Sequence, residues 1–295
     1  MRKEILLPAL AVGGGAAGFF LRRWELNTAF EADTGLHIPG APASVVLICI
    51  LVALAVAFAL LSLDRRRAAP GGYTGAFGAV GNTAWAVVMT AGALLLLCGA
   101  VLDLLGLPEV YAEAVIDAQV THTNPFFAIL ARLLLGALAL LSFPAVLLTV
   151  KRGYRGGDEE RYSGALLFPA YTCCVWLIEA YQLRASDPVV LDYIYELLAI
   201  MAAMLALYFI AGFSFGKGKS APASVFSALA VALSLTTMAD DHPIYVRLLY
   251  GFVILYLTAH LAALHHNLHL RPVRAEGKAD QDLGPKPESE ETSHE

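Results

Sequence analysis

Apolar stretches of about twenty residues recur along this chain, separated by short polar breaks. A helix needs about 20 such residues to cross the hydrocarbon core of a bilayer. Eight stretches reach or approach that length: Ile5 to Leu21, Ser44 to Leu63, Thr83 to Leu105, Pro125 to Val150, Tyr162 to Gln182, Pro188 to Phe213, Pro222 to Met238 and Pro243 to Leu264. The seventh is the weakest, being short and rich in Ser and Thr. Period-two alternation, the mark of barrel strands, is absent, and an open sheet edge in lipid would leave backbone groups unpaired. The pattern predicts an all-α fold: a polytopic transmembrane helix bundle of eight spans within residues 1–270. The opening "MRKEILLPALAVGGGAAGFFLRRW" resembles a signal peptide. Its apolar stretch runs into Phe19, Phe20, Leu21 and two arginines rather than a small-residue cleavage site, so an uncleaved first helix is expected.

The even-numbered spans begin at or near Pro42, Pro125, Pro188 and Pro243. Proline at the first helical position gives up an N–H that has no partner there, and Asn124 and Asp187 can cap the free N–H groups that follow. Four hairpins of one design are the expectation.

Composition sharpens this. Of 295 residues, 58% are hydrophobic and only 15% charged, with mean hydropathy +0.64; soluble domains carry about 25% charge. With the N-terminus cytoplasmic, the segments on that side hold 15 Lys and Arg, among them Arg65 to Arg67, Lys151, Arg152, Arg155, Arg161, Lys217 and Lys219, and the outer segments hold 3: Arg22, Arg23 and Arg184. That bias places both termini in the cytoplasm. Arg22 and Arg23 resist it and are expected at the membrane interface beside Trp24, opening a long outer loop from Arg22 to Ala43. The net charge of −5 decides little because the signs are segregated, and no basic stripe points to nucleic acid. Cys49, Cys98, Cys173 and Cys174 all fall in apolar runs without disulfide spacing and read as buried free thiols. From Arg271 onward the chain is polar and aperiodic, so 271–295 is expected to be a disordered cytoplasmic tail.

The candidate chemistry lies in ionisable residues inside the spans. Arg132, Glu179, Asp192, Glu196 and Arg247, with Asp103 near them in depth, all fall in the outer half of the predicted bundle. Asp192, Glu196, Ala199, Ala203 and Ala206 share one stripe of span six, with Tyr195 beside it; Arg247, Gly251, Ile254, Thr258 and His265 share one of span eight. Small residues allow close helix approach in lipid, so both charged stripes are expected to face the bundle interior. A charge left facing lipid costs roughly 2.5–3.5 kcal/mol at mid-membrane. Two arginines against four acids leave a net −2, which suits a cation, a proton relay or an amine-bearing solute. Tyr181, Tyr193, Tyr195, Tyr245 and Tyr250 would line such a pocket or serve as interfacial aromatics. The favoured expectation is binding or transport of a small solute or ion through an outward-facing charged pocket. The alternative is a structural, accessory or sensory protein in which the charges only pair helices.

Other motifs carry less. His260, His265, His266 and His269 crowd the inner end of span eight, but no zinc-protease signature accompanies them, so no metal or haem is expected. No nucleophile elbow or phosphate-cradling loop appears, so neither an enzyme nor a cofactor is expected. Gly14 and Gly18, at G-x-x-x-G spacing, point to tight helix packing. Pro144 and Pro169 would kink spans four and five. The segment "LPEVYAEAVIDAQVTHTN" between spans three and four reads as a short surface helix with Glu109, Glu113 and Asp117 in one stripe.

The stretches "CCVWLIEAYQLRASDPVVLDYIYELLAIMAAMLALYFIAGFSFGKGK" and "FFLRRWELNTAFEADTGL" resemble a group of bacterial multi-pass integral membrane proteins with no assigned activity. The resemblance implies a location in the bacterial cytoplasmic membrane and the lipid bilayer as partner. It supplies no catalytic residue.

Overall fold

The computed structural model describes residues 3–63, 72–121, 124–156, 163–185 and 187–270. The tail 271–295 and the arginines Arg65 to Arg67 lie outside the described residues. Among those described, the fold is helical, with one isolated antiparallel bridge between Phe30 and His37.

Among the described residues eight helices are long and apolar enough to cross a membrane. They are α1 (Lys3–Thr28), α2 (Pro42–Ser62), α4 (Thr83–Thr121), α5 (Pro125–Arg155), α6 (Ser163–Arg184), α7 (Val190–Gly212), α8 (Ser220–Thr237) and α9 (Ile244–Leu270); a six-residue helix, α3 (Gly72–Phe77), interrupts the series. This is the architecture of a multi-pass membrane protein. Two helix starts follow the sequence logic closely. Pro125 opens α5 while the Asn124 side chain accepts from the Phe126 N–H at 3.0 Å. Asp187 accepts from the Val189 N–H at 2.8 Å, although α7 itself starts two residues after Pro188.

Two boundaries depart from expectation. α1 runs on through Arg22 and Arg23 to Thr28, so the loop is shorter than Arg22 to Ala43. The loop that remains folds on itself: the Glu31 N–H donates to Leu36 O, and Gly35 turns the chain with φ +67°. The segment after Leu105 is not a separate surface helix, because α4 continues through Pro108 to Thr121. At about 1.5 Å per residue, this 39-residue helix is far longer than the hydrocarbon core is thick. No side chain from Leu105 to Gln119 is buried.

Burial explains the weak seventh span. α8 packs against α1, α2, α7 and α9, and its Ala223, Ser224, Ser227, Ala228, Ala230 and Ala232 are all buried. A helix surrounded by helices needs small residues more than oily ones. α2, the most apolar helix, is largely exposed on its outer faces. α1 approaches α8 through Gly15 and Gly18. A Cβ on Gly15 would lie 2.9 Å from Ala232 Cα, and one on Gly18 would strike Thr236 Oγ1. The close packing expected from Gly14 and Gly18 is present, with Gly15 added and Gly14 turned toward Leu54 of α2. α9 lies at the centre, against α4, α8, α1 and α3. All four cysteines are free, but only Cys173 is buried, Cys174 is half-buried, and Cys49 and Cys98 lie exposed on apolar helices, correcting the expectation of four buried thiols.

Candidate functional site: a charged network at one end of the bundle

The connections α1–α2, α4–α5, α6–α7 and α8–α9 share one end of the bundle, and there the charges converge. Asp192 and Glu196 lie on the same stripe of α7 as buried Ala199, Ala203 and Ala206, as their spacing requires. Arg184, in the last turn of α6, reaches Glu196 Oε2 with its Nε at 3.1 Å and Asp192 Oδ2 with Nη1 at 3.8 Å. The two helices are thereby tied at their junction.

The centre of the network is a residue that sequence reasoning assigned to the interface. Arg22 is fully buried, not interfacial. Its Nε donates to Asp240 Oδ1 at 2.7 Å and its Nη1 to Glu25 Oε2 at 2.7 Å. Nη1 and Nη2 also donate to the carbonyls of Leu191 and Asp192 at 3.0 and 2.8 Å. The guanidinium lies 4.9 Å from the centre of the Tyr195 ring and 5.9 Å from that of Phe30. A buried guanidinium is tolerated only when its donors are used; here they join α1, α7 and the α8–α9 connection.

That connection, "ADDHP", supplies further members. Asp240 and His242 are buried, and the Thr237 hydroxyl donates to Asp240 Oδ2 at 2.9 Å. With its hydrogen committed there, the Thr237 oxygen accepts from His242 Nε2 at 3.1 Å. His242 Nδ1 then faces Glu196 Oε1 at 3.7 Å. Burial pushes Asp240 above its ordinary carboxylate value, with the charge of Arg22 pulling the other way. Burial holds His242 below the ordinary imidazole value, opposed by Glu196.

Over this network lies a cavity of about 310 Å³ lined by Arg23, Asn27, Arg184, Asp192, Asp240 and Asp241, with Leu26 and Ala239. Its charged lining, two arginines and three aspartates, carries one net negative charge.

A second group sits apart on α4, α5, α6 and α9. Arg132 Nε donates to Asp103 Oδ1 at 2.7 Å, and the guanidinium lies 4.8 Å from the Tyr245 ring centre. The Tyr245 hydroxyl donates to Glu179 Oε1 at 2.9 Å. The five residues singled out from sequence therefore divide. Asp192 and Glu196 join the Arg22 network, while Glu179 and Arg132 form the second group. Arg247 belongs to neither and does not face the interior: it is exposed and pairs with the fully exposed Asp241 at 3.1 Å. The inward face of α9 is the Tyr245, Leu249, Tyr250, Val253 and Tyr256 side. Of the candidate tyrosines, Tyr195, Tyr245 and Tyr250 are buried, and Tyr181 is exposed.

Sequence reasoning missed Arg22, Glu25, Asp240 and His242. The signal was present in the two arginines that violated the charge bias and in the acidic pair of a short connection. Of the histidines near the other end, His260 is buried between Tyr73 of α3 and Tyr256 O, at 2.9 Å from each, and His265 Nε2 lies 3.1 Å from Ser224 Oγ. Among the described residues no group of three His, Cys, Asp or Glu is placed to hold a metal.

No family model, curated protein or solved structure matches this chain.

Proposed function

We propose that this chain is a bacterial cytoplasmic-membrane protein, both termini inside, that binds a small amine-bearing or zwitterionic solute at a charged pocket open to the outside, as a binding or transport protein. The observation that carries the reading is the cavity of about 310 Å³ over the Arg22 network. Its volume lies at the lower end of the range for small-molecule sites. It offers carboxylates for an ammonium group and guanidinium groups for a carboxylate. The orientation rests on the excess of Lys and Arg in the segments assigned to the inside. Two of the three basic residues on the other side, Arg22 and Arg184, are neutralised by carboxylates, which weakens them as counter-signals.

A solute screen on the purified full-length protein tests this. Amine-bearing zwitterions are expected to raise its melting temperature, and Asp192→Asn to remove that response while leaving the unliganded melt in place. A folded protein whose melting is indifferent to the whole panel overturns the reading.

The second reading is structural: the charges tie helices together, and the protein serves an accessory or sensory role. Arg22 favours it, being sealed from solvent with carboxylates and carbonyls on its donors. The two readings differ over the cavity, since only the first requires it to be filled.

A further inference from the structure

The Asp103–Arg132–Tyr245–Glu179 group has an unbalanced charge. Two carboxyl groups, both buried, face one guanidinium. Arg132 is committed to Asp103, whose other oxygen, Oδ2, is buried without a hydrogen-bond partner. Glu179 receives only the neutral hydroxyl of Tyr245, and no basic side chain among the described residues forms an ion pair with it. The groups whose charge acts on Glu179 are Asp103, Arg132 and Glu196, two of the three negative when ionised.

A buried carboxylate without a counter-ion is among the costliest groups a membrane helix can carry, and such a group neutralises itself instead. Among the described residues no third acidic, His or Cys ligand joins the pair to hold a metal. The geometry points to a proton-binding site at Glu179, separate from the charged pocket and independent of what that pocket binds. Glu179 takes its proton from water on one oxygen and accepts the Tyr245 hydroxyl on the other. Asp103 stays ionised against Arg132. Tyr245 couples the two halves, because its ring carries the guanidinium and its hydroxyl contacts the acid.

Infrared spectroscopy of the full chain in lipid nanodiscs tests the site. At neutral pH the wild type is expected to show the C=O stretch of a protonated carboxyl, shifted on exchange into heavy water. Glu179→Gln, a near-isostere of the protonated acid, removes that band and melts like the wild type. Tyr245→Phe, which removes the hydrogen bond to Oε1, shifts the band and assigns it even should the first variant fail to fold. A wild type without the band, a band that persists in Glu179→Gln, or a band unmoved in Tyr245→Phe overturns the proposal. Loss of the band on adding sodium at constant pH overturns it too, because the site would then hold a metal cation.

Discussion

Arg22 Nε lies 2.7 Å from Asp240 Oδ1, so the first membrane helix is held to a connection 218 residues away by a sealed ion pair. The pair completes itself with Glu25 on the same helix face and with two carbonyls at the start of α7. Removing the cation leaves two buried carboxyl groups without it. Arg22→Met is therefore expected to destabilise the protein by about 3–5 kcal/mol, the usual cost of breaking a buried pair from one side. Adding Asp240→Asn to that variant recovers part of the loss. Denaturant unfolding in detergent, run as a double-mutant cycle, measures the coupling; additive losses would contradict the paired arrangement.

Arg247 provides the contrast. Its partner Asp241 is fully exposed, and the guanidinium is itself about half exposed. Water screens such a pair. Arg247→Ala is expected to leave the melting temperature unchanged within error and the solute response of the pocket intact. A loss comparable to that of Arg22→Met would mean that the arginine turns inward.

His242 sets a pH dependence. Burial lowers its folded value below the ordinary one of about 6.5. The folded state therefore binds fewer protons than the unfolded one as pH falls through that range, and stability falls with it. The groups around the ring are Glu196 on α7, Tyr250 on α9 and Thr237 at the end of α8, and the charges of Arg184 on α6 and of the exposed Arg247 act on it as well. Asp240, raised by burial, contributes with the opposite sign, from its raised folded value down to the ordinary carboxylate value of about 4. The effect of His242 is read as pH falls below about 6.5. The Glu179 proton site acts with the opposite sign across the same range, so His242 is read as a difference: the melting temperature of His242→Gln is expected to rise relative to that of the wild type as pH falls. An unchanged slope in the variant would assign the effect elsewhere.

Much of the fold is legible in the sequence because lipid imposes a simple rule: apolar length sets the spans, and polar breaks set the connections. The rule fails where a helix leaves the hydrocarbon. Nothing in apolar length says that α1 continues through Arg22 to Thr28, or that α4 continues through Pro108 to Thr121. The site is half legible for the same reason. Depth along a helix placed Glu179, Glu196 and Arg132 correctly at one end. Which face each one turns depends on neighbours far away in the chain. The interior stripe expected for Arg247 is the wrong face of α9, because Gly251 on it marks an approach to Leu95 of α4, not to the acids. Arg22 reads as interfacial because, Glu25 aside, its partners lie on α7 and beyond α8, and only its breach of the charge bias hints at them.

The contact between α1 and α8 yields the last prediction, and it isolates packing from charge. A Cβ on Gly15 would lie 2.8 Å from Leu235 Cβ and 2.9 Å from Ala232 Cα. The second of these is backbone and cannot move without displacing α8. Gly13, half a turn away on the exposed side of α1, has nothing within 4 Å of the same atom. Gly15→Val is expected to cost about 1–3 kcal/mol by overpacking, while Gly13→Val carries the same change in helix propensity without the clash. The difference between the two melts isolates the cost of separating α1 from α8. Arg22 is seven residues further along the same helix, so Gly15→Val should also loosen its ion pair with Asp240. That loosening would appear as a smaller coupling energy when the Arg22–Asp240 cycle is repeated in the Gly15→Val background. Equal melts for the two glycine variants would place α1 farther from α8 than the structure does.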